Sequence, residues 1–232
     1  MTSRLITLWD SPETGPISAS GLQVIDDHLP LGSILAVGPD QPEDLAPHQA
    51  ISLSNFPARD MRHPGRRGQY YMGRHLARRA LKALDLPSDR LTSNADGSCQ
   101  WPPATVGSIS HTRGLAAAWV APNDAYPGLG IDVERQRDLS AAAQRYVLTP
   151  QEAESQDISA VMRFSAKEAI YKCLAPRDVA PLRFHDVSIF ADGCRLRFEP
   201  STQCSWGRHL NDLQGFYYWT ENHVLTMVWS HH

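Results

Sequence analysis

Apolar and polar residues alternate along this chain with two different periods, and the switches between them mark out its elements. From Gly68 to Leu84 the apolar positions Tyr70, Met72, Leu76, Ala77, Ala80, Leu81 and Leu84 recur at helical spacing, and Pro87 ends the run. Two strand-like runs follow a turn-rich stretch, Val106–Ser110 and Leu115–Ala121, and a Pro-Gly turn leads into a third, Leu129–Val133. The pattern then repeats. A helix is expected at Ser140–Tyr146, and Thr149-Pro150 reads as an N-cap with proline at the first helical position. A longer helix is expected from about Ile158 to Leu174, and strands at Val187–Phe190, Arg195–Phe198, Gly215–Thr220 and Val224–Trp229. Residues 1–58 hold seven of the 17 prolines and only short apolar runs, Gly32–Val37 and Ile51–Leu53, which read as brief strands or loops.

Each half is thus a long helix with an antiparallel set of strands. The expected fold class is α+β: two similar lobes, 1–127 and 128–232, inferred from element order because the halves share no sequence that aligns. Composition agrees with a folded chain, at 42% apolar and 20% charged residues with a net charge of −3. No apolar run reaches the roughly 18 residues of a membrane span, and the N-terminus has no signal-like apolar region, so a cytoplasmic protein is expected. Cys99, Cys173, Cys194 and Cys204 show neither a CxxC pair nor metal-ligand spacing, and read as buried thiols of a cytosolic protein rather than a disulfide framework.

Charge changes the picture. Residues 59–82 carry Arg59, Arg62, Arg66, Arg67, Arg74, Arg78, Arg79 and Lys82 against Asp60 alone, whereas residues 1–58 carry seven acids against Arg4. Arginine gathered this way in an acidic chain suits a polyanion, either nucleic acid or phosphates on a small molecule; the bland alternative is a solvated helix face.

Three further segments carry chemistry. In Gly130-Ile131-Asp132-Val133-Glu134, strand alternation puts Asp132 and Glu134 on one side, a donor pair suited to a hard cation such as Mg²⁺; a bare D-x-E is more often a strand end meeting solvent. In Phe164-Ser165-Ala166-Lys167-Glu168-Ala169-Ile170-Tyr171-Lys172, Glu168 and Lys172 share a helix face. They form either a stabilising i,i+4 pair or a third carboxylate flanked by lysines for phosphate oxygens. Gly107-Ser108-Ile109-Ser110-His111 ends a strand in a histidine that is either a packed residue or a phosphate contact.

Taken in order, Gly73-Arg74-His75-Leu76-Ala77-Arg78, Trp101-Pro102, Gly107–His111, Gly130–Glu134 and Phe164–Lys172 make the chain resemble the Sfp-type 4′-phosphopantetheinyl transferases, closest to the enterobactin-synthase branch. The likeness spans about residues 59–175. It implies a pseudo-symmetric monomer that binds coenzyme A in the cleft between its lobes. It also implies Mg²⁺ (or Mn²⁺) on the pyrophosphate and transfer of phosphopantetheine to a serine of an apo carrier protein. By motif position, Asp132, Glu134 and Glu168 match the metal carboxylates, and Arg66, Arg74, Ser110 and His111 match contacts to the adenosine and 3′-phosphate end. Lys167 and Lys172 match lysines beside the pyrophosphate, with Glu168, directly or through a water it orients, as the base. The N-terminal lobe would then hold the nucleotide end, and the C-terminal lobe the metal, pyrophosphate and carrier protein.

One departure stands out. The turn Asp96-Gly97-Ser98-Cys99-Gln100-Trp101-Pro102 lacks the basic residue the family often places there, so one phosphate contact is either missing or supplied by Arg90 or Arg113. The implied carriers are acyl, peptidyl or aryl carrier domains of fatty-acid, polyketide or non-ribosomal peptide synthases, with a lean towards siderophore or peptide synthesis. Neither nucleic acid nor membrane is an expected partner. A metal-dependent nuclease would use a similar carboxylate trio, and an Arg-rich nucleic-acid-binding protein would use the same helix.

Overall fold

The computed structural model describes residues 4–9, 15–44, 64–88, 91–95, 97–175, 183–201, 204 and 207–231. Arg59, Asp60, Arg62, Arg90, Asp96 and the expected strand at Ile51–Leu53 lie outside the described residues. The chain divides into two compact units, Met1–Ala125 and Tyr126–His232, and each mixes helix with sheet as an α+β fold does.

Unit 1 is a four-stranded sheet in the order β1-β2-β6-β5, built from Leu5–Thr7 (β1), Ile34–Gly38 (β2), Thr105–Thr112 (β5) and Leu115–Pro122 (β6). β1 and β2 pair in parallel, while β2–β6 and β5–β6 are antiparallel. Helix α1, Ala19–His28, stands between β1 and β2, and α2, Pro64–Ala83, between β2 and β5. A short hairpin of β3 (Thr92–Ser93) and β4 (Cys99–Gln100) precedes β5. Met72, Leu76, Ala77, Ala80 and Leu81 of α2 pack against Ala36, Ala116, Ala118 and Val120 of the sheet. That packing is why the helical period was readable.

Helix α1 was not expected in the turn-rich first stretch. It starts because Ser18 caps it, accepting from Gly21 N at 3.2 Å, and it buries Gly21 and Ile25. β2 is buried along its whole length, the unbroken apolar run of a strand inside a sheet. β5 and β6 turn through Gly114, whose φ of +88° suits glycine. Gly114 N donates at 2.8 Å to the buried carboxylate of Asp40, which also accepts from Gln69 of α2.

Unit 2 is a five-stranded antiparallel sheet in the order β7-β11-β10-β9-β8. Its strands are Gly128–Arg135 (β7), Val187–Asp192 (β8), Arg195–Pro200 (β9), Leu213–Trp219 (β10) and His223–Ser230 (β11). Three helices follow β7: α3 (Ala141–Val147), α4 (Pro150–Glu154) and α5 (Ala160–Leu174); α6 (Gly207–Asn211) follows β9. Ser140 and Ser159 cap α3 and α5, and Thr149 with Glu152 forms a reciprocal capping box on α4. Met162, Ala166, Ala169, Ile170, Cys173 and Leu174 of α5 form the core with Val187, Ile189, Val224 and Val228. Among the described residues no helix is long and apolar enough to cross a membrane.

Candidate functional site

Helix α5 reaches β7 unusually closely. A Cβ built on Gly130 would lie 1.8 Å from the Ala169 carbonyl oxygen, and one on Gly128 would lie 2.2 Å from that of Cys173. Only glycine permits this backbone-to-backbone approach. The consequence is that Asp132 and Glu134, two and four residues beyond Gly130, leave the strand beside the α5 face that carries Glu168 and Lys172.

Lys172 Nζ donates to Asp132 Oδ1 at 2.7 Å and to the Ile131 carbonyl at 3.1 Å. Of the two readings of Glu168 and Lys172, the hydrogen bonds favour a cross-element role for Lys172, whose charge still bears on Glu168. Asp132 is also fixed through its backbone: Ser165 and Thr226 hydroxyls meet at 2.8 Å, and Thr226, opposite Asp132 in the β7–β11 register, donates to the Asp132 carbonyl at 3.5 Å. The hydroxyl link was missed in the sequence, because Ser165 and Thr226 lie far apart along the chain and neither has a distinctive residue type.

The carboxylates feel one another. Burial, then the charges of Asp132 and Glu168, push the Glu134 pKa up to about 6, against the opposing pull of Arg137 and Lys172. Burial and Asp132 likewise raise Glu168, and Lys172 opposes them. Three negative groups under mutual strain, with one ammonium held among them, are a donor set that a hard cation would relieve. They are not a preformed cage: among the described residues no three His, Cys, Asp or Glu side chains are gathered at metal-ligand spacing. An ion of the Mg²⁺ kind needs no such cage, since it takes one or two carboxylates and completes its shell with water and phosphate oxygens.

Lys167 requires a correction. It is not at this face. Its ammonium is buried and donates to the Val147 carbonyl at 2.7 Å, Glu152 Oε2 at 2.6 Å and the Phe184 carbonyl at 2.7 Å, which uses all three of its N–H groups. Burial presses its pKa down and Glu152 opposes that shift. The resemblance placed Lys167 beside a pyrophosphate; the structure places it inside the protein.

Unit 1 separates its expected anion contacts in the same way. Arg66 is exposed near the start of α2, and His111 is exposed at the end of β5, next to the turn that carries exposed Arg113. Ser110, one residue earlier, is buried. Arg74 is turned inward: its guanidinium stacks 3.6 Å over the Tyr70 ring and donates to Ser93 Oγ at 2.7 Å and to the Gly97 carbonyl at 3.5 Å. Its observed work is to hold the Thr92–Gln100 hairpin to α2, whereas the resemblance matched it, with Arg66, to the nucleotide end of coenzyme A.

Comparisons with known proteins bear on these two units separately. Residues 60–121 match the model of the 4′-phosphopantetheinyl transferase N-terminal domain, and residues 128–228 match that of the 4′-phosphopantetheinyl transferase superfamily. The chain is 33% identical over 172 residues to the 4′-phosphopantetheinyl transferase Npt of Nocardia iowensis, covering 72% of this chain and 76% of that protein. It is 33% identical over 133 residues to the 4′-phosphopantetheinyl transferase PptT of Mycobacterium tuberculosis, covering 53% and 58%. It is 32% identical over 138 residues to the 4′-phosphopantetheinyl transferase Svp of Streptomyces mobaraensis, covering 56% of each.

Proposed function

Because the chain belongs to the 4′-phosphopantetheinyl transferases, we propose that it moves the phosphopantetheine arm of coenzyme A to a serine of an apo carrier protein, and that β7 and α5 carry the chemistry. The observation that supports this placement is the gathering of Asp132, Glu134, Glu168 and Lys172 where Gly130 lets α5 meet β7. The nuclease reading of the carboxylates and the nucleic-acid-binding reading of the Arg-rich helix have no counterpart in the family matches.

The reaction asks a serine hydroxyl to attack the β-phosphorus of coenzyme A, releasing adenosine 3′,5′-bisphosphate. A divalent cation such as Mg²⁺, held by Asp132, Glu134 and Glu168, would neutralise pyrophosphate charge as it develops. Lys172 supplies a cation of the chain itself, held at Asp132 and only partly exposed, where its charge is poorly screened. Glu168 accepts the hydroxyl proton, directly or through water, and its half-buried, acid-crowded position favours the protonated form it would reach. His111 and Arg66 take the 3′-phosphate end, and Arg113, beside His111, replaces the basic residue absent from the turn before Trp101. Arg74 supports that turn from within.

The finer reading is an Sfp-type, monomeric, cytoplasmic enzyme near the enterobactin-synthase branch, serving carriers of non-ribosomal peptide or polyketide synthesis. Mass spectrometry of an apo carrier incubated with the protein, coenzyme A and Mg²⁺ tests the activity. The expected result is a carrier heavier by one phosphopantetheine with matching release of adenosine 3′,5′-bisphosphate. An unmodified carrier across acyl, peptidyl and aryl types would refute it.

A further inference from the structure

The segment Phe164–Lys172 offers two lysines to the same family motif, and the structure gives them opposite surroundings. We propose that Lys167 is a positioning residue that holds Glu168 and Lys172 against β7 from the far side of α5, and that it never touches coenzyme A; this rests on the function proposed above.

Saturation of the ammonium is the first observation. Its three acceptors come from three elements: Val147 ends α3, Glu152 belongs to the capping box of α4, and Phe184 lies in the 3₁₀ turn before β8. Glu152 is equally committed. Its Oε2 accepts from Thr149 N at 2.7 Å as well as from Lys167, and its Oε1 accepts from Ile189 N at 2.7 Å. With the side chains 1% and 0% exposed, a phosphate could reach Lys167 only by dismantling this network.

Stability alone explains the pair poorly, since a buried ion pair is often no more stabilising than apolar residues of its size. What an ammonium adds over a methionine is direction. It fixes the rotation and axial position of α5 against three separate segments. Arg163, one turn earlier, does the same through the carbonyls of Ile189 at 3.2 Å and Glu152 at 2.9 Å. On the other side, a Cβ on Gly130 would lie 1.8 Å from the Ala169 carbonyl oxygen, so the two backbones already meet closely and α5 has little room to drift towards β7. Glu168 is the next residue after Lys167 and Lys172 lies five on, so any slip of the anchored face moves both. A displacement of about 1 Å costs on the order of 10²-fold in rate when reacting groups must align.

The test uses the full-length protein and the variants Lys167→Met and Lys172→Met, at a temperature where circular dichroism shows each folded. Steady-state transfer is measured alongside calorimetric binding of coenzyme A. Lys167→Met is expected to lower kcat about tenfold or more while KM and Kd for coenzyme A change clearly less than they do in Lys172→Met. Lys172→Met is expected to weaken both. Coenzyme A binding weakened in Lys167→Met as much as in Lys172→Met would overturn the proposal in favour of a direct contact. Unchanged kcat and KM in the folded variant would overturn it in favour of a purely structural pair. If Lys167→Met does not fold, Glu152→Gln, which keeps the shape and removes the partner charge, is held to the same split. Wild-type protein that fails to transfer would refute the proposed function, whereas the calorimetry would still report on whether Lys167 contacts the ligand.

Discussion

Helices α2 and α5 are the long helices of the two units, and they treat charge in opposite ways. α2 is two-sided: Met72, Leu76, Ala77, Ala80 and Leu81 are buried, while Arg66, Arg67, Arg79 and Lys82 are exposed. α5 is buried on nearly every side, and Arg163 and Lys167 lie inside the protein with their donors spent on oxygens. On α2 the exposed basic residues Arg66, Arg67, Arg79 and Lys82 face solvent, whereas Arg74 is turned inward. On α5 a basic residue is by default part of the fold, with Lys172 the exception. Identity in a motif therefore does not say which way a cation faces; the packing partner does.

The largest expected effect breaks the α5 side of this contrast. Asp132→Asn should lower transfer by about 10²–10³-fold, the usual cost of losing one preorganised electrostatic partner, with little change in melting temperature. Near-normal Mg²⁺-dependent turnover would remove Asp132 from the site. Gly130→Ala attacks the same place through packing. Its methyl must displace the Ala169 carbonyl, so unfolding free energy should drop by about 1–3 kcal/mol or more in a denaturant titration. A neutral result would mean that α5 does not depend on close approach.

On the unit 1 side, His111→Ala should weaken coenzyme A by about 1.5–3 kcal/mol, or roughly 10- to 150-fold, as loss of a charge-assisted contact does. It should leave 3′-dephospho-coenzyme A almost unaffected. Equal losses for both ligands would show that His111 only packs.

The smallest effect is a pH dependence. Glu134 is raised from 4.5 to about 6, so between those values the folded protein binds more protons than the unfolded chain. Stability should therefore fall as pH rises through this window, by about 1–2 kcal/mol from this group. Chemical denaturation at pH 4.5 and 7 without divalent cation should show that slope in wild type and a flatter one in Glu134→Gln. Identical slopes would contradict the crowding of carboxylates at β7.

Much of this was legible in the sequence. The period of α2, the strands from β5 to β11 and the D-x-E at the end of β7 followed from local pattern: α2 has one face in a core and one outside, and the buried β6 and β11 read as nearly continuous apolar runs. Helix α1 was not, since its signal is a serine cap and a few apolar residues inside a proline-rich stretch. Nor were the fates of Arg74 and Lys167. Both depend on groups distant in sequence, Ser93 for one and Glu152 with Phe184 for the other, which no local pattern couples to them. Gly130 shows the intermediate case. It was visible as a motif letter, but its reason, the carbonyl of Ala169, required the packed helix.

The central claim is that the carboxylates where β7 meets α5 hold a divalent cation together with coenzyme A. Titration of Mn²⁺ followed by electron paramagnetic resonance, with coenzyme A present, tests it without relying on turnover. Wild type is expected to bind one Mn²⁺ per chain, and Asp132→Asn and Glu168→Gln, folded by circular dichroism, to lose that binding. Undiminished Mn²⁺ binding in both variants would place the metal elsewhere and contradict the account.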